Sequence, residues 1–148
     1  MSLLELFARP TARARARSIT WKVIKIDGPV TGNVGLDVQY GVVISSDAML
    51  ALTQTILFCP LLSGLDKEGL PLEKMPWHVE VDVEDDLTGR LARIPYNTAF
   101  LSTKIVLPIS RNEVDADGRS RGWLGRNSQR AASAKLKMWL PSFKHLSR

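Results

Sequence analysis

The stretch that decides the fold is YGVVISSDAMLALTQTILFCPLLS, residues 40–63. Two short apolar runs, residues 41–44 and residues 55–60, flank the polar segment Ser-Ser-Asp at residues 45–47. β-Branched and aromatic side chains favour pleated, half-buried surfaces, whereas Ser and Asp favour turns and helix caps. The stretch therefore predicts two strands joined by a turn or short helix, at the centre of a small, strongly bent antiparallel sheet.

Further strands are predicted on both sides of this centre. TWKVIKI at residues 20–26 alternates, and WHVEVDV at residues 77–83 alternates strictly, as is typical of strands with one face on a core. The other predicted segments are short strands over residues 36–39, 91–95 and 100–109, a loop over residues 61–76, and an exposed linker over residues 111–121. The fold class is therefore expected to be mainly β with a C-terminal helix (α+β), arranged as a small SH3-like antiparallel barrel.

The tail has the composition of a helix over residues 128–140. Strong helix formers follow Ser128, a candidate capping residue, and the apolar positions Ala132, Leu136, Trp139 and Leu140 lie close to helical spacing. We expect three parts in the chain: a basic N-terminal arm or short helix over residues 1–19, a barrel domain over residues 20–110, and a basic linker with the C-terminal helix over residues 111–148.

Length and composition limit the class of protein. A chain of 148 residues with 45% hydrophobic residues is long enough for one domain with a real core. No apolar run approaches the roughly 20 residues that cross a bilayer, so we expect no membrane association and a cytoplasmic location. The arginine-rich start leaves an organellar targeting segment open. Cys59 is the single cysteine, and its place in an apolar strand predicts an inert core thiol.

Charge divides the chain into three parts. Residues 1–25 carry a net charge of +5, residues 26–110 carry −6, and residues 111–148 carry +6. Basic ends neutralise nucleic-acid phosphates in some proteins and simply solvate the surface in others. Arg13, Arg15 and Arg17 are the candidate RNA-binding residues. No aromatic residue interrupts their run, so a solvated surface stays open as the alternative.

Several kinds of site lack support in the sequence. With two histidines and one cysteine, a metal site of nitrogen and sulfur ligands is not expected, and no glycine-rich phosphate motif is present. The carboxylates on and after the alternating strand are interpreted as hydrated charge, and His78 is expected to face solvent beside Glu80. We therefore predict no metal and no cofactor.

The order of segments resembles that of the MazF/PemK (Kid) toxins of bacterial toxin–antitoxin pairs. In those proteins an Arg-Pro-hydrophobic strand ends in Ser, and a later strand ends in Pro-x-Thr-Ser or a similar sequence. YGVVIS at residues 40–45 and CPLLSG at residues 59–64 stand at those places here. The resemblance covers about residues 20–110. The gyrase-poisoning toxin CcdB looks like a relative of the same fold. Residues 105–108 and Trp139 of this chain are compatible with a resemblance to CcdB.

The resemblance implies an SH3-like barrel that is usually a homodimer and is usually neutralised by the acidic segment of an antitoxin protein. MazF-like members cut single-stranded RNA without metal, and the ribose 2′-hydroxyl attacks the adjacent phosphate. This chemistry needs a base, an acid and a cation that stabilises the phosphorane charge.

The chain departs from the family at the residues that carry this chemistry. The family's arginine falls at Tyr40, and its threonine falls at or beside Leu62, which leaves Ser63 as the polar residue at that strand end. A phenol offers one donor rather than the cationic fork of a guanidinium. Lys22, Lys25 or an arginine from a basic end is expected to supply the charge. Tyr40, Ser63, Lys22 and Lys25 are thus the candidate catalytic residues.

Two alternatives to RNA cleavage stay open. A catalytically silent or CcdB-like member would bind a protein target such as a topoisomerase, with Trp139, Leu140 and Phe143 as the candidate patch. The competing interpretation of this patch is that Trp139 packs the tail helix on the barrel. A nucleic-acid-binding accessory domain that uses the basic termini is the third hypothesis.

Overall fold

A computed structural model describes residues 18–26, 39–88, 94–114 and 120–139 of the chain. The predictions of a short helix or basic arm before residue 18 lie outside the described residues. So do the predicted strand at residues 36–38, residues 91–93 of the strand expected over residues 91–95, and everything beyond residue 139.

Strands dominate the described part of the chain. They are β1 (Lys22–Lys25), β2 (Tyr40–Val43), β3 (Thr55–Ser63), β4 (His78–Asp82), β5 (Leu87–Thr88), β6 (Thr98–Ser102), β7 (Leu107–Ser110) and β8 (Ser120–Leu124). The helices are α1 (Asp47–Leu52), α2 (Val83–Asp86), α3 (Arg111–Val114) and α4 (Arg126–Trp139).

All of the strand pairs are antiparallel and form one sheet in the order β4-β6-β3-β2-β1-β8-β5. β7 pairs with the first half of β3, and β6 pairs with its second half. The sheet curls into a half-barrel with the C-terminal helix α4, which confirms the predicted fold class. No helix in the described ranges is both long and apolar enough to span a bilayer.

Three details of the predicted secondary structure are wrong. The loop expected from residue 61 begins later, because β3 continues to Ser63. The strand expected over residues 100–109 is two strands, β6 and β7, and the apolar run between them conceals the turn in the sequence. The expected linker over residues 111–121 contains α3 and the start of β8, so the sheet extends past residue 110.

The sheet packs on both of its faces. Alternation along each strand sends one set of side chains to each side. One set, which includes Val42, Leu61 and Val81, packs with Ala132 and Leu136 of α4. We call this side the α4 face. The other set includes Ile24, Val43, Ile56 and Phe58 and packs with Leu50 of α1 and Val114 of α3; we call this side the α1 face.

A close approach between β2 and β3 requires a glycine at residue 41. The ring of Phe58 lies over Gly41, so that a Cβ atom added there would stand 2.3 Å from a ring carbon. Phe58 is fully buried on the α1 face. Every residue except glycine therefore displaces this ring.

The polar segment after β2 forms a cap, as predicted. Ser45 is buried, and its hydroxyl accepts a hydrogen bond of 2.8 Å from the backbone N–H of Leu57. Ser46 caps α1, because its hydroxyl accepts from the N–H of Met49. The two serines thus connect β2 to α1 and to β3.

The tail helix α4 confirms the predicted helix and begins two residues earlier than expected. Ser128 lies inside the helix and is buried, so its assignment as the capping residue is wrong. At the start of α4 the carbonyl oxygen of Gly125 accepts a hydrogen bond of 2.9 Å from the N–H of Gln129, and the side-chain amide of Gln129 donates to the carbonyl oxygen of Leu124 over 2.7 Å.

The contact between Gly41 and Phe58 predicts an unusual sign for a Gly41→Ala substitution. In most strand positions alanine is more favourable than glycine by roughly 0.5–1 kcal/mol. Here we expect Gly41→Ala to lower the free energy of unfolding by about 1–3 kcal/mol, as overpacked cores do. Urea denaturation of both proteins measures this difference.

The same substitution in a protein that lacks the Phe58 ring separates the clash with this ring from every other effect of the added methyl group. In a Phe58→Leu protein, the Gly41→Ala change is expected to cost much less or to stabilise. Equal losses in the two backgrounds would contradict the assignment of the cost to this ring.

Candidate functional site

Tyr40 and Lys25 lie directly opposite each other on neighbouring strands. Their Cα atoms are partners in the β1–β2 pairing, which places both side chains on the same face of the sheet. Tyr40 is 6% exposed and belongs to the hydrophobic cluster of the α4 face. Its ring meets the ring of Tyr96 edge to face, with a centroid distance of 5.5 Å. The aromatic pair therefore fixes the side chain that stands opposite Lys25 on the neighbouring strand.

Ser63 is close to this pair along β3. Tyr40 pairs with Leu61, and Ser63 follows two residues later on the same face. The Ser63 hydroxyl accepts a hydrogen bond of 3.1 Å from the N–H of Leu65. A hydroxyl that accepts from the backbone keeps its own proton free to donate. Ser63 can thus donate to an anion bound at this strand end.

Lys22 does not belong to the same group as Lys25. The two lysines are three positions apart on β1, so their side chains leave opposite faces of the sheet. Lys22 pairs with Trp123 of β8, and its ammonium lies 5.9 Å from the centroid of the Trp123 ring. Of the two candidate lysines, Lys25 is the one that shares a face with Tyr40 and Ser63.

The other predicted binding residues fall at or beyond the ends of the described chain. Arg13, Arg15, Arg17, Leu140 and Phe143 lie outside the described residues. Trp139 is the last residue of α4 and is 41% exposed, and its neighbour Met138 is 70% exposed. An apolar surface is therefore present at this end of α4.

Cys59 is a core residue, as predicted. It is fully buried, and this burial raises the pKa of its thiol to about 12. The thiolate is the reactive form of cysteine, so Cys59 is inert at neutral pH. Among the residues that the structure describes, no group of three or more His, Cys, Asp or Glu side chains is arranged to hold a metal.

A second group of side chains, centred on His78, was not predicted. The expectation that His78 faces solvent is wrong, because its ring is half-buried and stacks on Phe100 with a centroid distance of 5.1 Å. The N–H of Met75 donates to Nδ1 of His78 over 3.1 Å. This bond requires the neutral ring with its proton on Nε2.

Burial and two cations oppose the protonation of His78. Burial is the largest cause that lowers the pKa of His78, and the charges of Lys135 and Lys74 lower it further. Burial and the charge of Lys74 also lower the pKa of the Lys135 ammonium. Because these residues come from a loop, a strand and α4, their proximity has no signal in the sequence. An aromatic residue at the start of an alternating strand was the one visible feature.

Two neighbouring hydroxyl groups beside this cluster differ in their hydrogen bonding. Ser102 is the partner of His78 in the β4–β6 pairing, and its buried hydroxyl has no hydrogen-bond partner among the described residues. Thr103 is fully buried, and its hydroxyl donates to the carbonyl oxygen of Trp77 over 2.6 Å. One hydroxyl is thus satisfied and the other is not.

Matched removal of the two hydroxyls is expected to give different results. Ser102→Ala removes a buried group that makes no bond, so the free energy of unfolding should stay the same or rise by up to about 1 kcal/mol. Thr103→Val removes a made bond and should lower it by about 1 kcal/mol. Chemical denaturation measures both values. Equal losses in the two variants would contradict the hydrogen-bond assignment.

The His78 environment predicts a loss of stability in acid. The folded-state pKa lies below the ordinary value of 6.5, so the unfolded chain binds the proton more readily. The contribution of His78 to the free energy of unfolding should therefore be fully present above pH 6.5. It should be lost as the pH drops through 6.5 towards the lowered folded-state pKa of His78.

His78→Phe keeps an aromatic ring against Phe100 but does not titrate, so its free energy of unfolding should fall less between about pH 7 and about pH 5. Urea denaturation at several pH values measures both curves, and His145, present in both proteins, cancels. Parallel curves would contradict the prediction.

Comparison with known proteins supports the fold and leaves the family open. No protein-family model matches the chain, and no curated protein matches it. Among solved structures, the chain is similar to the toxin MazF-mt6 of Mycobacterium tuberculosis, with a TM-score of 0.50 and 10% sequence identity. The match covers 81% of this chain and 94% of the toxin chain. The protein thus has a MazF-like fold.

Proposed function

We propose that the protein is the toxin component of a toxin–antitoxin pair, and that it acts as a metal-independent endoribonuclease on single-stranded RNA. The MazF-like fold supports the first part. The second part rests on one observation, the placement of Lys25 directly opposite Tyr40 on the face that also carries Ser63. The cation that the family places on the strand of Tyr40 is here supplied by the neighbouring strand.

The proposed reaction breaks one phosphodiester bond within the RNA. The ribose 2′-oxygen gives its proton to a water molecule and attacks the adjacent phosphorus, and the bond from phosphorus to the 5′-oxygen breaks as that oxygen takes a proton from water. Negative charge accumulates on the phosphorane oxygens. The Lys25 ammonium stabilises this charge, and the Ser63 hydroxyl donates to a phosphorane oxygen. The products are a 2′,3′-cyclic phosphate and a 5′-hydroxyl.

Tyr40 has a positioning role in this proposal. Its ring is buried against Tyr96, whose hydroxyl donates to the side-chain oxygen of Gln39 over 3.4 Å. These contacts hold the strand surface from which Lys25 projects. The proposed toxin forms a homodimer, and an acidic antitoxin protein neutralises it.

A protein-binding function without catalysis is the second candidate. It is favoured by the exposure of Trp139 and Met138 at the end of α4, because tryptophan is enriched among the residues that dominate binding energies. The two functions differ in a simple observable. A CcdB-like binder leaves RNA intact, whereas the proposed nuclease cuts it in the presence of a chelator.

Incubation of the full chain with a defined single-stranded RNA and excess chelator tests the proposal. We expect fragments with 2′,3′-cyclic phosphate ends, and no cleavage when a 2′-deoxy sugar replaces the ribose at the cut site. Lys25→Met should lower the rate by about 100-fold to 1,000-fold, the usual loss when one group that stabilises transition-state charge is removed.

Lys22→Met is the matched control, since it removes the same charge from the same strand on the opposite face. It should keep a rate close to that of the natural chain. Intact RNA at high protein concentration, or equal rates for the two lysine variants, would count against the nuclease.

A further inference from the structure

The backbone on both sides of Trp77 is held by hydrogen bonds from two other elements. The Lys135 ammonium of α4 donates to the carbonyl oxygens of Pro76 and His78, over 2.7 Å and 2.9 Å. The carbonyl oxygen of Trp77 accepts from the N–H and the hydroxyl of Thr103, over 3.0 Å and 2.6 Å. Three consecutive carbonyls are therefore fixed, and the Trp77 side chain leaves a rigid backbone.

The side chains at this position form a row of rings with a cation at one end. Trp77 is half-buried, and its ring meets the His78 ring at a centroid distance of 5.8 Å. His78 in turn stacks on Phe100. The Lys104 side chain is exposed, and its ammonium lies 4.4 Å from the Trp77 centroid. Below we call Trp77, His78 and Lys104 the platform.

The charge around the platform is positive on one side. Lys74 and Lys135 both act on His78, and the neutral ring keeps an N–H donor on Nε2. The exposed carboxylates Glu80 and Asp82 occupy the same face farther along β4. An anion is therefore attracted to the start of β4 and repelled from its end.

Rings beside ammonium groups fit one class of ligand well. The bases of an unpaired nucleic-acid strand stack on aromatic side chains, and its phosphates bind cations. We propose that the platform binds single-stranded nucleic acid: a base stacks on Trp77 in place of the Lys104 ammonium, which lies over that ring in the free protein and moves to bind a phosphate. The identification of the strand as the RNA substrate rests on the proposed nuclease function.

The platform is separate from the Lys25 site. Lys25 is on β1, and β1 and β4 are four strand spacings apart, or about 19 Å along the sheet. Val79 packs on the α4 face, where Lys25 and Tyr40 also lie, so the preceding His78 is on the opposite face of the sheet. Stacked bases rise by about 3.4 Å, so a strand that reaches both places spans about six nucleotides or more and passes around an edge of the sheet. Among the strands that the structure describes, β4 is at one edge of the sheet.

Fluorescence anisotropy with a labelled single-stranded DNA of about 20 nucleotides tests the platform without cleavage. The 2′-hydroxyl is absent from this probe, so the nuclease reaction cannot occur. Trp77→Ala should weaken binding by about 5-fold to 100-fold, and Trp77→Phe should restore most of the affinity, because loss of a base–aromatic stack has this size. An abasic probe of equal length should bind both proteins equally.

Lysine variants test the phosphate contact. Lys104→Met should reduce the slope of log affinity against log salt by about 0.7, the value for one phosphate of a single strand. Lys22→Met is the matched control, since Lys22 also lies near a tryptophan ring, and it should leave the slope unchanged.

The outcomes separate this proposal from the proposed function. Equal affinities of the natural chain and Trp77→Ala for the probe would overturn the platform, even if the protein cuts RNA. Binding that depends on Trp77, in a protein that leaves RNA intact, would support the platform and remove the nuclease.

Discussion

The contact between the Phe58 ring and Gly41 is the constraint on which the rest of the structure depends. The ring crosses from β3 over β2 at the one position where no side chain stands in its path. A slip of one residue in the β2–β3 pairing would put Tyr40 or Val42 under the ring and turn every side chain of β2 to the other face. The contact therefore fixes the β2–β3 register, which places Leu61 beside Tyr40, and the β1–β2 register places Lys25 on the other side of Tyr40.

The same register divides the sheet into two faces with different tasks. Leu50, Val114 and the buried Phe58 close the α1 face. Of the four candidate catalytic residues, Lys22 is on this side of the sheet, and Lys25, Tyr40 and Ser63 are on the α4 face. The α4 face holds the larger cluster and, at the end of β1 and β2, the Lys25 and Tyr40 pair. A rigid core on one face thus supports polar groups on the other, as precise sites require.

Local patterns were enough to predict much of this fold, and long-range pairing accounts for what they missed. The alternation over residues 78–82 needs only the two-residue period of a strand, and the structure has it. Pro60, by contrast, ends the predicted strand, although a proline can continue a strand where no donor is needed for the ladder. β3 pairs with β7 up to Phe58 and with β6 from Leu61, so Pro60 falls in the gap between the two partners. Only the tertiary structure contains that gap.

Lysine in place of arginine changes what the rest of the protein has to do. An arginine grips a phosphate with a planar fork, whereas an ammonium is a point charge that leaves the phosphate free to turn. A nuclease that relies on Lys25 therefore needs other contacts to hold its substrate in line for attack. Stacking at the start of β4, about 19 Å from β1 along the sheet, supplies such a contact to an RNA that passes around the edge of the sheet, without adding charge at the reacting phosphate. On this argument the aromatic row at the start of β4 and the lysine on β1 are two parts of one solution.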